Sequence, residues 1–122
     1  MKVLVCGSNG TRIPEADKKT FEVSLIGKDL ICGCVENSPD IDIHDLAEKL
    51  ELPVSHHPST KKEKLRNARE LVGMADIIII YWNGSQFSLR SCFMATEAIM
   101  LEKAIRVVTS SIGLKSEASN DV

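Results

Sequence analysis

Short runs of aliphatic and β-branched residues alternate along the chain with segments whose apolar positions recur at helical spacing. Lys2–Cys6 reads as a compact strand, closed by the turn-forming Gly7-Ser8-Asn9-Gly10. Pro14 then suits a first helical turn, which predicts a helix to about Ile26 with Gly27 as its stop. Asp29–Cys32 is a second strand. A polar loop over Glu36–Asp40 leads to a helix near Ile43–Leu50, with Ile43, Leu46, Ala47 and Leu50 on one face. Pro53–His56 is a short third strand. Ser59 or Thr60 can cap the next helix, Lys62–Met74, whose apolar face is Leu65, Ala68, Leu71, Val72 and Ala75. Asp76–Trp82 is the strongest strand, with four consecutive isoleucines before Tyr81 and Trp82. A loop over Asn83–Leu89, a helix over Arg90–Glu102 and a strand over Ile105–Thr109 complete the pattern.

Five strands separated by four helices predict an α/β fold with a parallel sheet covered on both faces, because parallel neighbours need crossover connections. The uninterrupted isoleucine run fits a central strand buried on both sides. Right-handed crossovers make three layers, with strand order 3-2-1-4-5 expected and the first and fourth strands adjacent where the order reverses. The pattern gives one domain over residues 1–109 and a Ser-rich polar tail over 110–122, expected to fray.

Composition narrows the classes. The 122 residues are 43% hydrophobic and 26% charged, ordinary for a globular domain, and a net charge of −2 offers no bulk attraction to nucleic acid or anionic membrane. The apolar run Ile77–Trp82 is far shorter than the about 20 residues of a membrane helix, and the opening Met1–Val5 stretch is too short to be expected to act as a signal peptide. A cytoplasmic protein is therefore expected. The four cysteines are expected to be reduced and structural. Cys32-Gly33-Cys34 and the adjacent His56-His57 are weak metal signals, since neither is followed by a second ligand pair at metal spacing, and no metal is expected.

Candidate chemistry lies where open α/β sheets bind ligands, outside the carboxyl ends of the strands at the switch point. Gly7, Ser8, Asn9, Gly10, Thr11 and Arg12 follow the first strand. Asn83, Gly84, Ser85, Ser88, Arg90 and Ser91 follow the fourth. Each loop precedes a helix whose first N–H groups favour an anion, and Arg12 and Arg90 can grip phosphate or carboxylate. The bland alternative is that such turns need Gly, Asn and Ser for geometry alone. Arg66 and Asn67 can reach the same rim, and Trp82 can either stack on a base or cap the core. No third glycine, Gly-Lys-Ser/Thr or Gly-x-Ser-x-Gly is present, which disfavours NAD, ATP and serine-hydrolase chemistry.

Arg66-Asn67, Leu71-Val72, Ala75-Asp76, the aliphatic run and Trp82-Asn83-Gly84 followed by Ser resemble the SLOG superfamily, most closely its small YspA-like members. The opening strand with Gly7-Ser8, and Gly33 with Asp40 and Ala47, fit as well, although the stretch from Arg66 to Val108 is the specific part. The resemblance implies a Rossmann-like domain, often dimeric, that binds nucleotides or nucleotide-derived ligands through Gly7, Ser8, Arg66, Asn67, Asn83, Gly84 and the Ser88–Ser91 stretch. Relatives include phosphoribohydrolases related to lysine decarboxylase-like proteins. Here Arg90-Ser91 stands where that loop carries Gly-Thr, and Met94 where the hydrolases keep a Glu.

The leading expectation is thus a nucleotide-binding sensor or accessory module without a cofactor. The alternative is an N-glycosidic enzyme, a deoxyribosyltransferase or phosphoribohydrolase, with Glu97 or Asp40 as its carboxylate. Flavin mononucleotide binding is a weaker third, on the likeness of Gly7–Thr11 to a flavodoxin phosphate loop. Phe87 and Leu89 in a polar loop hint at a contact surface and a homo-oligomer.

Overall fold

A computed structural model describes residues 1–58, 60, 63–84 and 89–109. Ser59, Lys62, Ser85, Phe87, Ser88 and the 110–122 tail, singled out above, lie outside the described residues. The elements run in the order β1 (Lys2–Gly7), α1 (Glu15–Ser24), β2 (Asp29–Cys32), α2 (Pro39–Leu50), β3 (Val54–His56), α3 (Lys64–Met74), β4 (Ile77–Trp82), α4 (Leu89–Met100) and β5 (Ala104–Thr109). All neighbouring strands are parallel, in the order β3-β2-β1-β4-β5. This is the α/β sheet expected from the alternation, reversing between β1 and β4.

The isoleucine run is explained by what lies above and below it. Successive strand side chains point to opposite faces. Val3, Val5, Ile79 and Tyr81 pack with Phe21, Ile43 and Leu46 under α1 and α2. Leu4, Cys6, Ile78 and Ile80 pack with Ala68, Leu71, Met94 and Ala98 under α3 and α4. Both faces of the central strands are thus covered, and past the exposed Lys2 no position in β1 or β4 alternates to solvent with a charged residue. Asp76, just before β4, closes the opposite end of the sheet: its carboxylate accepts from the Lys2 amide at 2.7 Å and its own amide donates to Lys2 O at 2.8 Å.

The structure moves three sequence expectations. Helix α2 starts at Pro39, four residues earlier than its apolar stripe, because Ser38 caps it: Ser38 Oγ accepts from the Asp40 amide at 3.2 Å and Pro39 takes the first position. Pro14 is the residue before α1 rather than part of it. Leu65 is 48% exposed although its spacing puts it on the α3 stripe, while Asn67 is buried. The first turn of α3 stands at the polar rim, past the apolar part of the sheet.

Candidate functional site

The carboxyl edge of the sheet is drawn together at the switch point by Gly7 and Ser8. A Cβ on Gly7 would stand 2.3 Å from Tyr81 O and 2.7 Å from Pro39 Cγ, so only glycine lets β1 end this close to β4 and α2. Ser8, also buried, donates its amide to Tyr81 O at 2.9 Å. Its Oγ lies 3.2 Å from Ser91 Oγ and accepts from the Asn83 amide at 3.3 Å. One hydroxyl therefore joins the β1 loop, the β4 loop and the first turn of α4.

The β1 loop spends much of its hydrogen-bonding capacity on itself. The Thr11 amide and hydroxyl both donate to Ser8 O, at 3.0 and 2.6 Å, and the Gly10 amide donates to Asn37 O at 2.6 Å. Arg12 turns away from the switch point and grips Asp42 in α2 through Nε at 2.9 Å and Nη2 at 2.7 Å. Asp42 also accepts from the Ile13 amide at 2.9 Å and pairs with Lys18 at 3.3 Å. Burial opposes charge on this carboxylate, but the bonds from Arg12 and Ile13 and the charges of Arg12 and Lys18 outweigh it and hold its pKa below the ordinary value. Arg12 is thus a strut between loop and helix.

Arg90, the second residue of α4, reaches the other way. Its Nε and Nη2, the edge that Arg12 closes on a carboxylate, are buried with no hydrogen-bond partner among the described residues. A Cβ on Gly33, just past β2, would stand 2.8 Å from Arg90 Nη2, 3.0 Å from Asp40 Oδ2 and 3.1 Å from Leu71 Cδ1. Glycine there makes the room in which the guanidinium, the carboxyl and the α3 face meet. Asp40 Oδ2 accepts from the Val35 amide at 3.0 Å, whereas Oδ1 is buried with no partner among the described residues. Burial raises the Asp40 pKa, with the Val35 amide and the Arg90 charge pulling against it. Burial likewise pushes the Cys6 thiol beneath this cluster up to about 12, against the pull of Arg90 and helped by Asp40.

Asn67 comes from α3, one turn before Leu71 on the same helix face. Its Nδ2 donates to His57 O at 3.0 Å and its Oδ1 is buried with no partner among the described residues. The first turns of α2, α3 and α4 thus each send one underused polar group, Asp40, Asn67 and Arg90, to the carboxyl edge of the sheet, where helix N-termini favour an anion.

The other candidates separate. Asn9, Gly10 and Gly84 are exposed at the mouth, and Trp82 is half-buried against the α3/α4 core. Arg66 is exposed and sits 3.6 Å from Glu70 on its own helix. Glu97 lies two turns, about 10 Å, along α4 from Arg90, where Arg69 holds it at 3.4 Å. Asp40, not Glu97, is the carboxyl that the fold brings to the rim.

One grouping was missed in sequence. The Cys32-Gly-Cys34 and His56 signals look isolated along the chain, but β2 and β3 pair with Cys32 beside His56. The ligand atoms of Cys32, Cys34 and His56 all lie within 4.8 Å of one another. The signal was available once strand order placed the second strand against the third. Among the described residues no helix is long and apolar enough to cross a membrane. No family model, curated protein or solved structure matches the chain.

Proposed function

We propose that this domain binds a nucleotide or nucleotide-derived phosphorylated ligand at the carboxyl edge of its sheet, as a sensor or accessory module. The observation that carries the reading is the Arg90 guanidinium, whose paired Nε/Nη2 edge is buried beside Gly33 and Asp40 with no partner among the described residues. That edge matches two oxygens of a phosphate, in the bidentate arrangement that Arg12 makes with Asp42 in the same protein. Asn67 Oδ1 and Asp40 Oδ1 supply acceptors suited to ribose hydroxyls or a base edge. The resemblance to the SLOG superfamily supports the same ligand class. The site draws on side chains from three helices, with the β1 loop as its frame.

The test is thermal unfolding of the full chain with nucleoside mono- and diphosphates and sugar phosphates. A true ligand raises the melting temperature with concentration, by about 2.7 kcal/mol of stability at a hundred times its Kd. Arg90→Gln should abolish the shift. Absence of a shift with every phosphorylated compound would overturn the reading.

Asp40 favours a second reading, an N-glycosidic enzyme. A buried carboxyl with a raised pKa beside an arginine is the kind of group that serves as a general acid. Release of free base from a bound nucleotide, lost in Asp40→Asn with binding retained, would establish it.

A further inference from the structure

We propose that Cys32, Cys34 and His56 form a zinc(II) site with three protein ligands and a fourth position open toward α2. The fold builds this cluster from three independent decisions. Cys32 ends β2 and His56 ends β3, and the parallel register sets them side by side. Cys34, two residues on, adopts a left-handed backbone at φ 57°, uncommon for a side-chain-bearing residue. That turn brings its thiol back to the strand end, where Cys34 Sγ lies 3.8 Å from Cys32 O and 3.5 Å from His56 Nδ1.

The Cys34–His56 edge, at 3.5 Å, has the spacing of the metal, and the other two ligand pairs lie within 4.8 Å. With Zn–S about 2.3 Å and Zn–N about 2.0 Å, the S···N edge of a tetrahedron is about 3.5 Å. The donor set of two sulfurs and one imidazole suits zinc over magnesium or calcium, which take oxygen. Further groups already support the ligands. The Cys34 amide donates to Cys32 Sγ at 3.3 Å, the kind of contact that steadies a metal-bound thiolate. All four cysteines are free thiols, so no disulfide removes these two.

The fourth position has a definite surrounding. A cavity of about 280 Å³ opens beside the cluster, and its lining includes Cys32, Cys34, Asp40, His44 and Asp45. The His44 ring, from α2, is centred 5.3 Å from that of His56. Three protein ligands beside an open cavity is the pattern of a zinc that takes a water or small ligand, rather than that of a closed structural site. The cluster lies on the α2 face of β2 and adjoins the Arg90 cluster through Asp40, but its metal ligands are separate from the groups proposed to hold a nucleotide.

The experiment uses the full, untagged chain, reduced with a phosphine and titrated with cobalt(II) and then zinc(II). One equivalent of cobalt should give a thiolate-to-metal charge-transfer band and the visible bands of a tetrahedral site, both erased by one equivalent of zinc. Cys34 and His56 are exposed, so Cys34→Ser and His56→Gln should fold normally by circular dichroism. Each should weaken zinc binding by about a hundredfold or more, beyond what a supporting partner usually costs. Cys92→Ser should leave binding unchanged, and so should His44→Gln if the fourth position is open. A loss in His44→Gln would overturn the open position. A cobalt complex without the thiolate band, or equal zinc affinity in wild type, Cys34→Ser and His56→Gln, would overturn the site.

Discussion

Arg90 Nη2 and Asp40 Oδ2 converge on the point where Gly33 lacks a side chain, at 2.8 and 3.0 Å from a Cβ built there. Both are ends of flexible side chains, so a methyl would push them aside instead of unfolding the domain. Gly33→Ala should cost about 1–2 kcal/mol of stability. It should also remove the nucleotide-induced rise in melting temperature. An unaltered rise in this variant would detach the ligand from the Arg90 cluster.

Gly7→Ala should behave differently, because its nearest neighbour is backbone. A Cβ 2.3 Å from Tyr81 O cannot be relieved without parting β1 from β4. A loss of about 3 kcal/mol or more is expected, read as the shift in urea midpoint. A near-neutral result would mean that the two strand ends are not held this tightly.

Arg90→Met separates stability from binding. Removing a buried guanidinium with two unpartnered nitrogens, and filling the space with a flexible apolar chain, should leave stability unchanged or raise it by about 1 kcal/mol. Phosphate-dependent stabilisation should vanish in the same variant. Chemical denaturation with and without ligand checks both halves, and a strongly destabilised Arg90→Met would show that the arginine is structural.

Asp42 sets an acid limb on the stability curve. A carboxyl whose pKa is lowered by folding contributes stability that is complete above its unfolded value, near 3.9, and is lost as pH falls through the folded value. Wild-type stability should therefore decline below about pH 4. Asp42→Asn should cost about 1–2 kcal/mol near neutrality, moderated because the Arg12 side chain is half exposed, and should flatten the decline. Urea midpoints measured near neutrality and below about pH 4 decide it, and an unchanged slope in Asp42→Asn would assign the limb to other groups.

The sheet was legible because burial on both faces leaves a plain mark, four isoleucines in β4 with no polar interruption. The position of the Gly7 and Asn83 loops was legible for the same reason, since strand order sets which loops meet. What those loops do with their hydrogen bonds was not. Arg12 and Arg90 look equivalent in sequence, each at the start of a loop-to-helix passage. Only the packed structure shows Arg12 closed on Asp42, a carboxylate thirty residues away. The start of α2 was obscured by the polar Ser38-Pro39-Asp40, which reads as loop by composition although Ser followed by Pro is also a helix-start pattern. Asp42 is buried for its partners and Asp40 beside the Arg90 guanidinium, and no apolar periodicity registers either.

Helix α2 carries Asp40, Asp42 and His44 at alternate positions, and each answers to a different neighbour: the Arg90 cluster, the Arg12 strut and the His56 ring. Inserting or deleting a single residue between Ser38 and Asp42 would rotate everything beyond it by about 100° and break more than one of these engagements at once. The fold therefore fixes the length of this stretch as firmly as its composition.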